Sequence, residues 1–348
     1  MMSQNKPLIF DFSLPQLADI LTSWGEPEYR ARQLWSGLYQ HLWDKPHLFT
    51  HLPLPFRSRL ADEFTFSSLT PVATRESQDG ETLKTLFQLA DGQAIEAVLM
   101  QYARRRTLCI SSQVGCGMGC VFCATGQMGF RRNLSSGEIV EQVLFYARLL
   151  SQRNERVTNV VLMGMGEPFH NYEATLEAID RLNHPQGFNL GARRFTISTV
   201  GLVPMIRRFT QERRQVNLAI SLHAADDDLR SSLLPINKRY PLNELLEACR
   251  EYTQRTHRRI TFEWALIYDV NDTPQQAQKL AHILQGVLCH VNVIPLNPTH
   301  SYSGQATTRE RAQTFKQILE SHGIPCTIRI RRGIDIQAGC GQLASNPI

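Results

Sequence analysis

Three cysteines form the most informative motif of this 348-residue chain. Cys116, Cys120 and Cys123 lie in the run CGMGCVFC, which has a C-x3-C-x2-C spacing. Three thiolates on one short loop can hold three irons of a 4Fe–4S cube, and the fourth iron is then open to a small molecule that can be bound and reduced. The alternatives are a structural zinc site, for which no second C-x2-C pair follows, and three unrelated buried thiols, which the tight clustering disfavours. The spacing therefore predicts one 4Fe–4S cluster.

The elements that must position this loop alternate between strands and helices from residue 107 onward. Apolar strand cores between amphipathic helices predict a parallel sheet with right-handed crossovers. The predicted strands are 107–111, 158–163, 194–198, 216–222, 259–267 and 290–296, and the predicted helices are 137–150, 172–182, 202–209, 241–255 and 274–286.

Loops at the carboxyl ends of parallel strands build the active site in such folds. Besides the cysteine motif, those loops carry GMGEP (164–168), Ser198, Ser221–His223 and Asn297. Glycines in GMGEP allow close approach of a ligand to the backbone, and Glu167 can accept a hydrogen bond from an ammonium group. Taken alone, GMGEP could be an ordinary strand-to-helix turn and His223 a structural histidine.

The flanking regions have different patterns. Residues 13–64 read as helices packed around Trp35 and Trp43, and the alternation in ETLKTLFQL and AIEAVLM around the turn ADG predicts a hairpin. A helix at 307–321, a strand at 326–330 and a loop through Cys340 form a C-terminal extension. We therefore expect a helical accessory domain (1–65), a hairpin linker (66–101), a core barrel (102–333) and a C-terminal segment (334–348).

The composition is 42% hydrophobic and 20% charged, which is ordinary for a globular protein, and no stretch approaches the length of a membrane span. We expect a cytoplasmic protein, in which eight cysteines indicate metal and redox chemistry rather than disulfides. Arginine supplies most of the positive charge in short clusters, including Arg104–Arg106 and Arg329–Arg332. Arginine forks match phosphate geometry, so RNA is a reasonable partner; solvated arginines at helix ends are the alternative.

The cysteine spacing, with Phe122 before the third cysteine, resembles the radical S-adenosylmethionine (SAM) superfamily. The run CISSQVGCGMGCVFCATGQMGFRRNL is similar to one branch of it, the RlmN/Cfr RNA adenosine methyltransferases. GMGEP, SLH (221–223), LLPINKRYP (233–241) and GIDIQAGCGQL (333–343) extend the resemblance over nearly the whole chain. Pro168 favours the RlmN branch, because Cfr-type sequences look like GMGEA at that point.

The resemblance implies an α/β fold, an incomplete (β/α)6 barrel. It also implies one 4Fe–4S cluster on Cys116, Cys120 and Cys123, and two SAM molecules per turnover. Gly166 and Glu167 would lie near the methionine amine. The ribose, carboxylate and adenine would be bound by Ser198, Ser221, Leu222, His223 and Asn297.

Three further residues receive roles from the same resemblance. Cys340 would be methylated by one SAM, and a 5′-deoxyadenosyl radical from a second SAM would remove hydrogen from that methyl group. The carbon radical would add to adenine C2, a base would remove the C2 proton, and Cys109 would attack the sulfur of Cys340 to release the RNA. Glu96 matches the position of that base. From the sequence alone, Cys109 is a buried strand residue, Cys340 a free surface thiol and Glu96 an exposed strand glutamate.

The implied activity is methylation of adenosine C2 in 23S rRNA, in the peptidyl-transferase region, and in tRNA, 3′ of the anticodon. A flavodoxin or ferredoxin would supply electrons to a monomeric enzyme. The alternatives are Cfr-type C8 methylation, a radical SAM enzyme that modifies peptides, and a non-catalytic metal-containing RNA-binding protein. Cys249, Cys289 and Cys326 match no family motif and are interpreted as structural thiols.

Overall fold

A computed structural model of the protein describes residues 6–299 and 301–344. The strands within them are β1 (Leu69–Glu76), β2 (Thr82–Leu89), β3 (Ala94–Tyr102), β4 (Arg105–Cys109), β5 (Gln113–Gly115), β6 (Phe130–Asn133), β7 (Asn159–Leu162), β8 (Phe195–Thr199), β9 (Asn217–Ser221), β10 (Ile260–Leu266), β11 (Cys289–Pro295) and β12 (Cys326–Ile328). Ten of them form one sheet in the order β1-β2-β3-β4-β7-β8-β9-β10-β11-β12, while β5 and β6 pair separately.

Eleven α-helices lie within the described residues; the first three precede the sheet, and the others follow the strands from β5 onward. They are α1 (Leu14–Ser23), α2 (Tyr29–Tyr39), α3 (Leu54–Glu63), α4 (Ala124–Gln127), α5 (Ser136–Ser151), α6 (Tyr172–Asn183), α7 (Val203–Glu212), α8 (Asp227–Leu233), α9 (Leu242–Thr256), α10 (Pro274–Ile283) and α11 (Arg309–Ser321). Side-chain caps explain several starts: Ser135 and Glu138 form a capping box on α5, and Thr273 and Thr308 cap α10 and α11. Among the residues described, no helix combines the length and apolar character needed to cross a membrane.

The strands from β4 to β12 that belong to the large sheet are parallel, which confirms the predicted α/β barrel architecture. All six predicted strands are present, with ends that differ from the prediction by one or two residues. The predicted strand at 326–330 is shorter, as β12, and it joins the sheet as a seventh parallel strand beside β11. The helix predicted at 274–286 ends three residues early, at Ile283.

The hairpin region contains one more strand than we expected. β2 and β3 form the predicted hairpin, with Leu86 opposite Glu96. β1 adds to β2, and β3 pairs with β4, so this region continues the barrel sheet at its antiparallel edge. The pattern did not reveal β1 because its residues are mostly exposed and therefore lack an alternation between apolar and polar positions.

The N-terminal helices share a hydrophobic core with the barrel helices. Trp35 is buried and packs edge-on against His184, while Trp43 is only half-buried. The Asp11 carboxylate accepts a hydrogen bond from the Gly137 amide (2.7 Å), and its carbonyl accepts one from Arg181 (2.5 Å). These contacts attach the helical region to the first turn of α5 and to α6.

The last part of the described chain, residues 334–344, follows β12, and we call it the C-terminal arm. Asp335 accepts a hydrogen bond from the Gln78 amide (2.9 Å), and the Gln337 carbonyl accepts one from Lys84 (3.3 Å). Further along, the Leu343 carbonyl accepts one from Thr125 beside the cysteine motif (2.5 Å). The arm thus connects the hairpin strands to the cysteine loop.

Candidate active site

The three cysteines lie on a loop between β5 and α4, at the carboxyl end of the barrel. The Cys116 amide donates to the Gly129 carbonyl (3.1 Å), and the Ala124 amide donates to Gly341 of the C-terminal arm (2.8 Å). Cys116 and Cys120 are 8% exposed. The loop is therefore held from both sides, with its thiols turned into the protein.

The chemistry of these thiols fits a metal cluster. Burial raises the pKa of Cys116 to about 12 and also raises the pKa values of Cys120 and Cys123. Bound cations compensate this cost because they deprotonate coordinating thiols. No three Cys, His, Asp or Glu side chains within residues 6–299 and 301–344 converge on a single-ion site. A 4Fe–4S cube distributes three thiolates over three irons.

The GMGEP loop after β7 packs directly on the chain that leads to the cysteines. A Cβ at Gly164 would lie 2.7 Å from the Ile110 backbone, and one at Gly166, whose φ is +99°, would lie 2.5 Å from Gln113. Glycine is therefore required at both positions. The Glu167 carboxylate is buried and accepts from the amides of Phe169 (3.0 Å) and Val200 (2.9 Å). Burial raises the pKa of Glu167 to about 7.

Residues at the ends of β8 and β9 continue the site. The Ser198 and Ser221 hydroxyls are 3.5 Å apart. The Nδ1 atom of His223 accepts a hydrogen bond from the Ala265 amide (2.9 Å), so the proton of the neutral ring is on Nε2. Burial lowers the pKa of His223 to about 3, which keeps the ring neutral. Leu222 is fully buried in the core and does not line the cavity; its amide donates to the Glu263 carbonyl (3.0 Å), and its carbonyl accepts from the Ala224 amide (2.9 Å).

Asn297, two residues beyond β11, links the barrel rim to the C-terminal arm. Its Nδ2 atom donates to the Cys340 carbonyl (3.0 Å). Its Oδ1 atom is buried without a partner in the described part of the chain. A buried acceptor of this kind is costly unless a ligand satisfies it, so the atom indicates a place for a hydroxyl or amino donor.

These side chains meet in one cavity at the carboxyl ends of the strands. Of the residues proposed from the sequence, the cavity is lined by Cys120, Cys123, Gly166, Glu167, Ser198, Ser221, His223, Asn297 and Cys340. Sequence reasoning missed Thr199, Val200 and Glu263, which also line it. Glu263 has a detectable signal, because it is a charged residue in the middle of the apolar strand TFEWAL.

A second cavity fills the barrel interior towards the amino ends of the strands. Cys109 and Cys340 both line it, and Cys340 also lines the first cavity. The Cys340 side chain is exposed to the cavity space, but the surrounding protein raises its pKa to about 11. Burial, together with the charge of Cys340, raises the pKa of Cys109 to about 12. The two thiols therefore both line the second cavity, and Cys340 lies where the two cavities meet.

Glu96 is buried, and the expectation of an exposed strand glutamate is wrong. Only 1% of its surface is exposed, and the Lys84 ammonium lies 2.8 Å from its carboxylate. The Ala344 amide donates to the other carboxylate oxygen (2.9 Å). Its strand is covered on that face by the C-terminal arm, which no local sequence pattern indicates. Cys249, Cys289 and Cys326 are buried, as predicted for structural thiols.

The arginine clusters divide into two groups. Several clustered arginines form ion pairs, among them Arg106 with Glu155 and Arg208 with Glu173 and Glu212. The second cavity is lined by Arg105, Arg329, Arg331 and Arg332, of which Arg332 is also paired with Glu81. Tyr102 lies between two of them, with the guanidinium of Arg105 5.0 Å and that of Arg332 4.5 Å from its ring.

The geometry agrees with the comparisons to known proteins. Residues 110–281 match the model of the radical SAM superfamily. The crystal structure of a radical SAM methyltransferase from Sphaerobacter thermophilus has a TM-score of 0.96 and 50% identity, and the match covers 98% of this chain and 100% of that one. The barrel and its cysteine loop therefore define a radical SAM enzyme.

Similar sequences identify the family within this superfamily. A probable dual-specificity RNA methyltransferase RlmN of Chloroflexus aurantiacus is 51% identical over 97% of this chain and 92% of its own. The dual-specificity RNA methyltransferase RlmN 1 of Myxococcus xanthus is 48% identical over 99% of this chain and 96% of its own. The chain belongs to the RlmN family of radical SAM RNA methyltransferases, which confirms the resemblance read from the motifs.

Proposed function

We propose that this enzyme methylates C2 of adenosine in the peptidyl-transferase region of 23S rRNA and, in tRNA, 3′ of the anticodon. The observation that carries the proposal is the placement of Cys340 and Cys109. Cys340 lines the cavity that holds Glu167, Ser198 and Asn297, and it shares the second cavity with Cys109. A methyl carrier and a thiol that can release it would need this arrangement.

The proposed cluster residues are Cys116, Cys120 and Cys123. When bound, the cluster supplies the electron that cleaves SAM to methionine and a 5′-deoxyadenosyl radical. Glu167 accepts from the methionine ammonium, and its place beside the cysteine loop favours that end of SAM. Ser198, Ser221, the Nε2–H of His223 and the Oδ1 of Asn297 supply polar groups for the ribose, carboxylate and adenine. The backbone of Gly166 allows close approach.

Cys340 first displaces S-adenosylhomocysteine from SAM, forming its S–CH3 bond and releasing a proton. After hydrogen abstraction, the thioether carbon adds to adenine C2, a position without a nucleophile of its own. Glu96 takes the C2 proton, and the adduct passes one electron back to the electron source that supplied the electron spent on SAM, so no net electron is consumed up to this point. The Cys109 thiolate then forms a disulfide with Cys340, the carbon–sulfur bond breaks, and the carbon takes a proton to become the methyl group.

The second cavity suits the RNA. Its arginines and Tyr102 can contact phosphates and a splayed base, because guanidinium groups bind phosphates and aromatic rings stack on bases. The adenosine would reach Cys340 from the amino ends of the strands, opposite the SAM side. RNA and SAM would then enter through different cavities and meet at Cys340, which agrees with one reaction that uses both cavities. A cytoplasmic location, a flavodoxin or ferredoxin donor and a monomeric state remain predictions.

The decisive test uses anaerobically reconstituted enzyme carrying Cys109→Ala. Incubation with SAM, a reductant and rRNA should trap the RNA on the protein, and peptide mapping should place the link at Cys340. Cys249→Ala, which alters a buried thiol outside both cavities, should turn over without a trapped adduct. A Cys340→Ala enzyme with full activity would favour a different radical SAM reaction.

Two further measurements address the alternatives. Mass spectrometry of nucleosides from modified rRNA and tRNA separates 2-methyladenosine from 8-methyladenosine, and only the C8 product would support Cfr-type chemistry. Four irons per chain after anaerobic reconstitution support the enzyme. One zinc per chain with no SAM cleavage would instead support an RNA-binding protein with a structural metal.

A further inference from the structure

Lys84 and Glu96 form an ion pair in which both side chains are nearly buried, 8% and 2% exposed. In every other ion pair within residues 6–299 and 301–344, at least one side chain is 28% exposed or more. The proposed reaction gives Glu96 a role but uses Lys84 nowhere. Burying an ammonium group costs free energy, which indicates that Lys84 has a function at this position.

We propose that Lys84 is a positioning residue for the methyl transfer: its ammonium holds the Glu96 carboxylate and the C-terminal arm in one hydrogen-bonded network, which places the proton acceptor and the methyl carrier together. This inference rests on the proposed role of Glu96. It adds a residue to the reaction and assigns a task to the contact between the hairpin and the arm.

The sheet register fixes the pair. Leu86 lies opposite Glu96, and Lys84 lies opposite Val98, so Lys84 and Glu96 are diagonal neighbours on one face of two paired strands. Both strands are flanked by further strands, because β1 covers β2 and β4 covers β3. The ammonium is therefore carried by a strand that is paired on both sides.

The network attaches the arm on both sides of Cys340. Lys84 donates to the Gln337 carbonyl (3.3 Å), three residues before the cysteine. Glu96 accepts from the Ala344 amide (2.9 Å), four residues after it. The carboxylate thus lies between the ammonium and a backbone amide, and a single ion pair holds both flanks of the methyl carrier.

The network also controls access to the carboxylate. Glu96 lines neither cavity, whereas Leu343, the neighbour of its partner Ala344, lines both. Ala344 must therefore give way before Glu96 can take a proton from the substrate. Lys84 keeps its contact with the other carboxylate oxygen during this step, so the base stays in place. Burial raises the pKa of Glu96, and the neighbouring ammonium opposes that rise.

The experiment compares Lys84→Met, Lys84→Arg and Glu96→Gln in the reconstituted enzyme. The matched control is Lys279→Met, which removes an ammonium at the same 2.8 Å distance from a carboxylate, that of Asp226, on the exposed surface of α10. Hydrogen exchange of arm peptides reports whether the arm is attached. Trapping of RNA on Cys340, followed by mass spectrometry, reports whether the C2 proton is removed.

We expect amide exchange in the arm of Lys84→Met to be about tenfold faster than in the wild type, because a hydrogen bond to a charged group is lost. Cys340 should still be methylated, but RNA should accumulate as an adduct that retains the C2 hydrogen. Lys84→Arg should restore both properties in part, and Lys279→Met should match the wild type. Since Lys84→Met leaves a lone buried carboxylate, the double variant Lys84→Met/Glu96→Gln provides a neutral pair if the single variant does not fold.

The outcomes separate this inference from the proposed function. If Glu96→Gln traps the adduct while Lys84→Met shows wild-type exchange and turnover, Lys84 has no positioning role. If Glu96→Gln turns over normally, the assignment of the base is wrong. Hydrogen exchange in the arm of Lys84→Met then still shows whether Lys84 holds the arm. Faster exchange without any change in adduct level would reduce Lys84 to a purely structural residue and overturn the proposal.

Discussion

At the scale of single residues, Glu167 is a carboxyl group in conflict with its surroundings. It is buried and receives two backbone hydrogen bonds, which favour its charged form. Burial nevertheless outweighs them and raises its pKa to about 7. A bound ammonium group would resolve the conflict, because it supplies the missing positive charge.

This conflict predicts a pH dependence of SAM binding. Below about pH 7 Glu167 is neutral in the free protein and attracts the methionine ammonium weakly; above it the carboxylate is charged. Affinity for SAM should therefore rise by up to about tenfold from pH 6 to pH 8. Calorimetric titration of SAM into the cluster-loaded enzyme at both pH values measures this affinity. Glu167→Gln should bind weakly at both values, and a variant that keeps the pH dependence would show that another group is responsible.

At the scale of elements, the GMGEP loop depends on backbone that approaches too closely for a side chain. Gly166→Ala would place a Cβ 2.5 Å from Gln113 at a φ of +99°. We expect a loss of about 1–3 kcal/mol of stability, measured by urea unfolding of the apoprotein. Gly191→Ala is the control, since no atom lies within 4 Å of its Cβ position and its φ is −55°. Equal stability of the two variants would contradict the close packing.

Helix α5 carries a second buried acid, Glu141, which accepts hydrogen bonds from the amide (2.8 Å) and the hydroxyl of Ser68. Burial raises its pKa to about 7, from an ordinary value of 4.5. The folded state thus binds the proton of Glu141 more tightly than the unfolded state does. The resulting stabilisation of the fold is complete below about pH 4.5 and is lost as the pH rises through 7. Glu141→Gln should therefore be more stable than the wild type by about 2 kcal/mol at pH 8 and nearly equal at pH 4.5. Urea unfolding at both values tests this, and a gain that is largest at low pH would refute it.

The elements also show what the sequence could and could not predict. Apolar strands between amphipathic helices located the barrel, and short motifs at strand ends located most of the cavity lining. Strand β1 was not predicted because it is exposed along most of its length and therefore lacks alternating apolar residues. The burial of Glu96 could not be predicted because it depends on a contact between the hairpin and residues 334–344, which are distant in the chain. Local periodicity reports one segment at a time, so it carries no information about such contacts.

At the scale of the whole molecule, two cavities meet at Cys340 from opposite ends of the barrel. The one at the amino ends of the strands carries the arginines, while the acidic Glu167 lies in the other. This distribution predicts that RNA affinity depends on salt through the arginines of the second cavity.

Arg331→Ala should weaken RNA binding and reduce the slope of log affinity against log salt by about one. Filter-binding titrations with an rRNA fragment at several salt concentrations give that slope. Arg207→Ala is the control, because Arg207 lies on α7 and is paired with Glu247 and Glu251. A larger effect at Arg207 would place the RNA on another face of the molecule.

The C-terminal arm joins strands made early in synthesis to a cysteine made late. The hairpin, the cysteine loop and most of the barrel can assemble before residue 340 has left the ribosome. Until then the nascent protein lacks Cys340, the proposed methyl carrier, and Cys109 lacks the thiol with which we propose that it forms a disulfide. A growing chain surrounded by ribosomal RNA, its own proposed target, would thus stay inert until translation has passed the arm.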